Sequence, residues 1–124
     1  MRVLLVDDFA TMRKIIKNVL KQINIESVVE AENGRQALSI LKAEKIDLII
    51  SDWIMPEMTG IEFLKACKAD ETVKHIPFIM VTAEAQKDSV VEAIKCGVDN
   101  YIVKPFTPEK LKDAIEKAQA KVRR

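Results

Sequence analysis

Short apolar runs alternate with amphipathic helical patterns from one end of this 124-residue chain to the other. The runs predict five strands, at residues 2–6, 27–31, 48–50, 77–81 and 101–103. The segments that follow them predict helices at about 9–22, 34–44, 59–68, 86–96 and 107–122. This alternation is typical of βα units, whose common small arrangement is a doubly wound parallel sheet in the order 2-1-3-4-5. We therefore predict an α/β fold in which five helices flank a five-stranded parallel sheet.

Residue chemistry at the ends of the elements supports these boundaries. Thr59 and Thr107 carry hydroxyls that can cap helices, and Gly97 suits a left-handed helix terminator. Glu26 and Glu30 interrupt the second strand, which favours a place at the sheet edge. The first helix should bury an apolar stripe and turn its cations outward, and the last helix should end in cations. The predicted stripe is Met12, Ile15, Ile16, Val19, Leu20 and Ile23, the outward cations are Arg13, Lys14, Lys17 and Lys21, and the terminal cations are Lys117, Lys121, Arg123 and Arg124.

The charge balance and the cysteines argue against several classes of function. The 20 basic and 19 acidic residues leave a net charge of +1, which disfavours nucleic acid or an anionic membrane as the main partner. The apolar run at residues 3–6 is too short for a signal peptide or a membrane span. Cys67 and Cys96 lack metal-site or disulfide spacing, so we expect packing roles in a cytosolic, cytoplasmic protein. At this length we expect one domain, residues 1–124, with no separate DNA-binding domain.

Acidic residues directly follow two of the predicted strands. Asp7 and Asp8 come after the first strand, and Asp52 comes after the third. These strands are neighbours in the predicted order, so the three carboxylates should converge at the switch point of the sheet, where such folds bind ligands. Thr82 and Lys104, at the ends of the fourth and fifth strands, should join them. Taken singly, Asp52 could equally cap its loop, and Thr82 would more often make a loop hydrogen bond.

Three converging carboxylates repel one another and raise one another's pKa unless a cation neutralises them. Oxygen ligands of this kind suit Mg²⁺. A metal ion, a nucleophilic carboxylate, a lysine and a hydroxyl are together typical of phosphoryl transfer to an aspartate. We therefore predict that Asp52 attacks phosphorus while Asp7 and Asp8 hold the ion. Lys104 would balance the charge of the phosphoryl oxygens, and Thr82 would donate a hydrogen bond to one of them.

Four segments resemble the receiver domain of two-component response regulators, and in particular the single-domain regulators of chemotaxis. They are VDDFATMRKI, ISDWIMPEMTG, PFIMVTAEA and NYIVKPFTPEKL. The resemblance spans essentially the whole chain and implies a flavodoxin-like fold. It also implies phosphoryl transfer from a phosphohistidine of a chemotaxis histidine kinase to Asp52. Mg²⁺ would be bound by Asp8, Asp52 and the backbone carbonyl of Ile54, with Asp7 acting through a water, and the Lys104-Pro105 bond would be cis.

The resemblance further implies a switch that binds a flagellar motor switch protein when phosphorylated. Phosphorylation adds charge and acceptor oxygens at Asp52, which would draw Thr82 inward and let the ring of Tyr101 rotate from outside to inside. The alternative for Tyr101 is a half-buried strand aromatic with its hydroxyl in water. Val90, Tyr101, Lys104 and Lys117 are the residues expected to touch the partner helix. The protein would be a monomer with slow autodephosphorylation, served in addition by a phosphatase, and not a metabolic enzyme.

Two positions depart from the pattern of chemotaxis regulators. Ile54 is apolar where a polar residue is frequent, and Glu84 occupies the matching position after Thr82. Both would flank an attacking water, so the phosphoryl lifetime should differ from that of relatives. Trp53 should report ligand binding by its fluorescence. His75 is expected at the surface, and Met55 and Met58 are expected to pack in the loop.

Three other functions were weighed against this one. A relay regulator of the same fold would pass its phosphoryl group to a second histidine, and only partner binding separates it from a motor regulator. An aspartate-nucleophile phosphatase usually has a second acid two residues after the nucleophile, where Ile54 stands. A flavin carrier would need a phosphate loop after the first strand, and the acidic pair Asp7-Asp8 would repel a phosphate there.

Overall fold

The computed structural model describes residues 1–122 in their secondary structure and residues 1–120 in their side-chain burial. Five strands and five helices alternate along this part of the chain. The strands are β1 Val3–Val6, β2 Val28–Ala31, β3 Leu48–Ser51, β4 Phe78–Thr82 and β5 Asn100–Val103. The helices are α1 Ala10–Gln22, α2 Gly34–Ala43, α3 Gly60–Ala69, α4 Lys87–Lys95 and α5 Pro108–Val122. Each predicted element is present, and no boundary differs by more than one residue.

All four strand pairings are parallel, and the sheet order is β2-β1-β3-β4-β5. The predicted doubly wound topology is therefore confirmed. β1, β3 and β4 are buried along their whole length, whereas β2 is only partly buried. Its exposed Glu30 lies at the sheet edge, as the interrupted apolar pattern predicted.

Hydrophobic cores form on both faces of the sheet because neighbouring strand residues point to opposite sides. Leu4 and Val6 belong to the core that α2, α3 and α4 cover, and Val3 and Leu5 belong to the one that α1 and α5 cover. Buried apolar side chains of the helices fill these layers. They are Phe63, Leu64 and Cys67 on one face and Ile16, Leu20, Leu111 and Ile115 on the other.

The predicted apolar stripe of α1 is wrong at Ile15, which is 44% exposed. Ile16, next to it, is fully buried and marks the centre of the packed face. Because neighbouring helix residues are about 100° apart, residue 15 lies beyond the edge of this face. The predicted outward orientation is also wrong for Arg13, whose side chain is only 12% exposed.

Helix ends follow the local chemistry that the sequence predicted. Thr59 and Glu62 form a reciprocal capping box at the start of α3, and the Asn33 side chain accepts from the backbone N–H of Gln36 at the start of α2. The Thr107 hydroxyl accepts from the backbone N–H of Lys110 at 3.3 Å. Gly97, which follows α4, has φ +99°. The predicted terminal cations Lys121, Arg123 and Arg124 lie outside the residues with described side chains.

Cys67 is buried, Cys96 is partly buried, and both are free thiols. Burial raises the pKa of the Cys67 thiol to about 12.

Within the described part of the chain, no helix combines the length and the apolar character that a membrane crossing requires.

Candidate metal centre

Three carboxylates meet where β1 and β3 end. Val6 and Ser51 are paired in register across these strands, so the residues that follow them, Asp7 and Asp52, leave the sheet side by side. The backbone N–H of Asp52 donates to the carbonyl of Val6 at 2.9 Å, which extends the pairing by one residue. One carboxylate oxygen from each of Asp7, Asp8 and Asp52 lies within 4.8 Å of the others. The structure thus brings together the acids that the topology predicted.

Lys104 brings a positive charge to two of these acids. Its Nζ lies 3.1 Å from Asp7 Oδ2 and 3.1 Å from Asp52 Oδ2. Asp7 is 1% exposed and Asp52 is 6% exposed, so the ion pairs are shielded from water. The backbone N–H of Lys104 donates to the Thr82 carbonyl at 2.8 Å, and the Lys104-Pro105 bond is cis, as the resemblance implied.

Backbone donors fix the orientation of the two buried carboxylates. Asp7 Oδ1 accepts from the N–H of Phe9 at 2.9 Å. Asp52 Oδ1 accepts from the N–H of Trp53 at 2.6 Å and from the N–H of Ile54 at 3.4 Å. These bonds leave further lone pairs on each carboxylate available to a ligand.

The pKa of Asp7 is raised, chiefly by burial, against the opposing effects of the Phe9 N–H and the Lys104 ammonium. The charge of Asp52 is the smallest of the named causes. The charge of Asp52 thus raises the pKa of Asp7, as the sequence predicted, but it contributes less than burial does, and the Lys104 ammonium opposes both effects.

The three acids of this cluster fit a hard divalent cation, since the ligand atom that each of them offers is a carboxylate oxygen. Asp8 is exposed, and its carboxylate makes no ion pair with any residue in the described part of the chain. One acid is therefore free to bind a cation from solvent beside two that Lys104 already holds. The carbonyl of Ile54 remains a predicted ligand.

Two apolar side chains beside this cluster were not singled out as exposed by the sequence reasoning. Phe9 follows the acidic pair and is 66% exposed, and Ile54 follows Asp52 by two residues and is 60% exposed. Both belong to loops, whose side-chain directions do not follow a helical or strand period. An exposed apolar side chain therefore follows each part of the acid cluster in the sequence.

Thr82 is the last residue of β4, Tyr101 lies within the neighbouring strand β5, and both contact Glu84. The buried Thr82 Oγ1 accepts from the N–H of Glu84 at 3.2 Å, and the Tyr101 hydroxyl donates to the Glu84 carbonyl at 2.7 Å. The Tyr101 ring meets the ring of Trp53 edge-on, with centroids 6.4 Å apart. Burial, and next the charges of Glu84 and Asp52, raise the pKa of Tyr101 to about 12. Tyr101 is half-buried in its strand, as the alternative interpretation expected, and its hydroxyl bonds to a backbone carbonyl.

The predicted output residues lie on α4, β5 and α5. Val90 is partly buried, and the exposed Lys117 pairs with Asp113 at 3.1 Å. The sequence reasoning did not name the exposed apolar side chains of the same elements, two on α4 and one at the end of β5. Val91, Ile94 and Val103 are 38%, 61% and 38% exposed.

The remaining predicted loop residues behave as expected. His75 is exposed, Met55 is buried, and Met58 packs against the core. A cavity of about 920 Å³ lies at the opposite edge of the sheet, between the end of α2 and the start of β4. His75 lines it, and none of its lining residues belongs to the acid cluster.

Comparison with known proteins gives consistent relatives. The family model of the response regulator receiver domain matches residues 3–116. The chemotaxis protein CheY of Pseudomonas aeruginosa is 50% identical over 94% of this chain and 94% of its own length, as is CheY1 of Helicobacter pylori. The structure of CheY4 from Vibrio cholerae covers 94% of this chain and 97% of that one, with a TM-score of 0.85 at 36% identity. The structure of the receiver domain of a signal transduction histidine kinase from Syntrophus aciditrophicus has a TM-score of 0.91 at 31% identity. The match covers 99% of this chain and 92% of that one.

Proposed function

The chain belongs to the response regulator receiver domain family, in its CheY-like chemotaxis branch, and we propose that it is a switch that is phosphorylated on Asp52. In this proposal residues 1–124 form one receiver domain that works in the cytoplasm. The phosphorylated form binds a flagellar motor switch protein and so controls the direction of rotation. The observation that carries the proposal is the convergence of Asp7, Asp8, Asp52 and Lys104 at adjacent strand tips.

Asp52 is the proposed phosphoryl acceptor. A carboxylate oxygen attacks the phosphorus of a phosphohistidine on the chemotaxis kinase, a P–O bond forms, and the P–N bond breaks so that the imidazole leaves. The N–H groups of Trp53 and Ile54 hold one oxygen of Asp52 in place, which favours attack from a fixed direction. Lys104, now 3.1 Å from Asp52, would follow the new negative charge onto the phosphoryl oxygens.

Asp7, Asp8 and Asp52 would hold Mg²⁺, with the Ile54 carbonyl as a further ligand. The bound ion would neutralise charge on the phosphoryl oxygens during transfer. The oxygen-only donor set supports this choice of metal. Asp8 is exposed and forms no ion pair among the described residues, so an incoming cation would meet the least competition at this acid.

Thr82 and Tyr101 would carry the signal from Asp52 to the output face. Thr82 donates to the phosphoryl group in this proposal, and it then gives up its contact with the loop at Glu84. Since the Tyr101 hydroxyl donates to the carbonyl of the same residue, a shift of this loop would alter both contacts. Val90, Tyr101, Lys104 and Lys117 contact the partner helix, and the exposed Ile94 adds apolar surface.

The phosphoryl group would be lost slowly by autodephosphorylation and faster with a phosphatase. The exposed Ile54 stands beside Asp52 and offers no group that can orient a water. We expect the lifetime to differ from that of relatives with a polar residue there. An Ile54→Asn variant with unchanged decay would show this expectation to be wrong.

Binding to a motor switch peptide tests the whole proposal. The protein is incubated with beryllium fluoride, a mimic of the phosphoryl group, with and without Mg²⁺, and peptide affinity is measured by fluorescence anisotropy. We expect binding to strengthen only when both are present, with no response in Asp52→Asn and a reduced response in Tyr101→Ala. Binding that ignores both additions would contradict the proposal. Phosphoryl transfer onward to a second histidine domain, with no peptide binding, would instead favour the relay function.

A further inference from the structure

Arg13, on α1, contacts the backbone of the acid cluster. Its Nη1 donates to the carbonyl oxygen of Asp7 at 2.6 Å, and its Nε donates to Glu30 Oε1 at 2.9 Å. The side chain is 12% exposed, so these bonds are largely screened from competing water. The guanidinium therefore joins the turn after β1 to the edge strand β2.

Glu30 is held firmly enough to serve as an anchor. Its second oxygen accepts from Lys17 Nζ at 2.9 Å, and the contacts with Lys17 and Arg13 lower the pKa of its carboxyl. It is paired in register with Leu5 across the β1–β2 ladder. Glu30 is therefore an ionised group on a fixed strand. Its ladder partner, Leu5, lies two residues before Asp7.

The Asp7 carbonyl belongs to the peptide plane that leads to Asp8. Because this plane is rigid, fixing the carbonyl oxygen also fixes the direction of the Asp8 N–H and limits where the Asp8 side chain begins. The other side of Asp7 is fixed as well, since its N–H donates to the carbonyl of Ala31 at 3.1 Å. Among the described residues, Arg13 is the one donor to the Asp7 carbonyl oxygen, so its removal would leave that oxygen without a hydrogen bond from the protein.

We propose that Arg13 is a positioning residue for the metal centre, which holds the Asp7-Asp8 peptide so that the Asp8 carboxylate faces the other two acids. The inference rests on the proposed function insofar as these acids bind Mg²⁺. Arg13 acts through the backbone and touches neither the ion nor the phosphoryl group.

Electrostatics alone would give the opposite effect. A guanidinium near a cation site repels the cation, so removing its charge should tighten Mg²⁺ binding if Arg13 contributed only its charge. Removing a group that orients ligands weakens metal affinity, by roughly 10-fold to 100-fold in well-studied metal sites. The sign of the change therefore distinguishes positioning from charge.

The test is the dissociation constant of Mg²⁺ for the unphosphorylated protein, measured by isothermal titration calorimetry and by Trp53 fluorescence. Arg13→Ala removes the charge and both bonds, and Arg13→Lys keeps the charge but cannot make the two-pronged contact. Lys17→Ala is the matched control, because it removes a cation and a partner of Glu30 from the same helix without touching Asp7. Urea unfolding of each variant reports whether the fold is retained.

We expect the dissociation constant to rise about tenfold in Arg13→Ala and to rise in Arg13→Lys as well. In Lys17→Ala it should stay within about twofold of the wild-type value, since only a distant surface charge is lost. Unchanged or tighter binding in the folded Arg13 variants would overturn the inference, as would an equal weakening in Lys17→Ala. If Arg13→Ala does not fold, Arg13→Lys decides the matter by the same criterion. A wild-type protein that does not bind Mg²⁺ would contradict the proposed function itself and the inference with it.

Discussion

Gly60, the first residue of α3, packs so closely on the backbone of Asp52 that a single added methyl group should disturb the phosphoryl acceptor. A Cβ at this position would lie 2.1 Å from the carbonyl oxygen of Asp52 and 2.7 Å from Cα of Trp53. The N–H of Gly60 also donates to the carbonyl of Trp53 at 2.6 Å, which holds the two segments together. Gly60→Ala must therefore push α3 away from the strand that carries Asp52.

The size of the effect follows from these distances. Side-chain Cβ atoms do not come within 3.0 Å of another heavy atom, so the gap must widen by about 1 Å. A misplacement of about 1 Å at a reacting group can slow a reaction roughly 100-fold. Overpacking costs about 1–3 kcal/mol, which exceeds the stabilisation of about 0.4–1 kcal/mol that Gly→Ala gives at compatible sites. We expect Gly60→Ala to lose about 1–2 kcal/mol of unfolding free energy.

Gly34→Ala is the matched control, because Gly34 is also the first residue of its helix. There the added Cβ would meet the flexible Met58 side chain at 2.9 Å and Phe63 Cβ at 3.1 Å, but no backbone atom of Asp52 or Trp53. The rate of phosphorylation by acetyl phosphate and the urea midpoint would be measured for both variants. We expect Gly34→Ala to phosphorylate at a rate within about twofold of wild type, since Asp52 keeps its place. Gly60→Ala with wild-type rate and stability would refute the reasoning from close packing.

Three further predictions follow from the charges and caps of the described residues. Lys104→Met leaves two buried carboxylates without their cation, so in EDTA the unfolding free energy should fall by about 3 kcal/mol and added Mg²⁺ should restore part of it; a variant as stable as wild type in urea would contradict this. Tyr101 is the one tyrosine of the chain, and its pKa, raised to about 12 by burial, predicts that phenolate absorbance rises near pH 12 when folded. Because the raised value favours the neutral folded form, the stability it contributes should be present below pH 10 and be lost as the pH rises towards 12; an absorbance step near pH 10 in the folded protein would oppose this. Thr59→Ala removes the capping box with Glu62 and should cost about 1 kcal/mol in urea unfolding, whereas Thr59→Ser should cost less; equal losses would argue against the cap.

Topology made the acid cluster predictable. Asp7 and Asp52 are 45 residues apart in the sequence, yet the rule of right-handed crossovers makes the strands that precede them neighbours. The side chains at the ends of these strands then lie close together, independently of the conformation of the loops. The helix boundary at Thr59 was predictable for a different reason, since its cap depends only on residues three positions apart.

Contacts with backbone atoms of loops were not predictable in the same way. Arg13 was expected to face outward because it lies among lysines on α1, but its partner is the carbonyl of Asp7. Tyr101 likewise donates to the carbonyl of Glu84. Every residue has a carbonyl, so no residue pattern marks the one that a side chain will reach. Such contacts depend on the loop conformation, which the apolar periodicity does not specify.

The direct contact of Lys104 with the acids was not predictable for a related reason. The sequence analysis placed Lys104 near the site as a partner of the phosphoryl oxygens, whereas the structure has it bridging Asp7 and Asp52 directly. The pKa of Asp7 is raised mainly by burial. Burial of a loop side chain depends on how neighbouring loops pack, and composition does not report this.

Mapping the phosphorylated residue tests the central claim most directly. The protein is incubated with acetyl phosphate, the acyl phosphate is converted to a stable derivative, and the modified position is identified by peptide mass spectrometry with and without Mg²⁺. We predict one phosphoryl group, on Asp52, which forms only with Mg²⁺ and is absent from Asp52→Asn. Modification at another residue, or at Asp52 to the same extent in EDTA, would contradict the account of these strand tips as a metal-dependent phosphoryl acceptor.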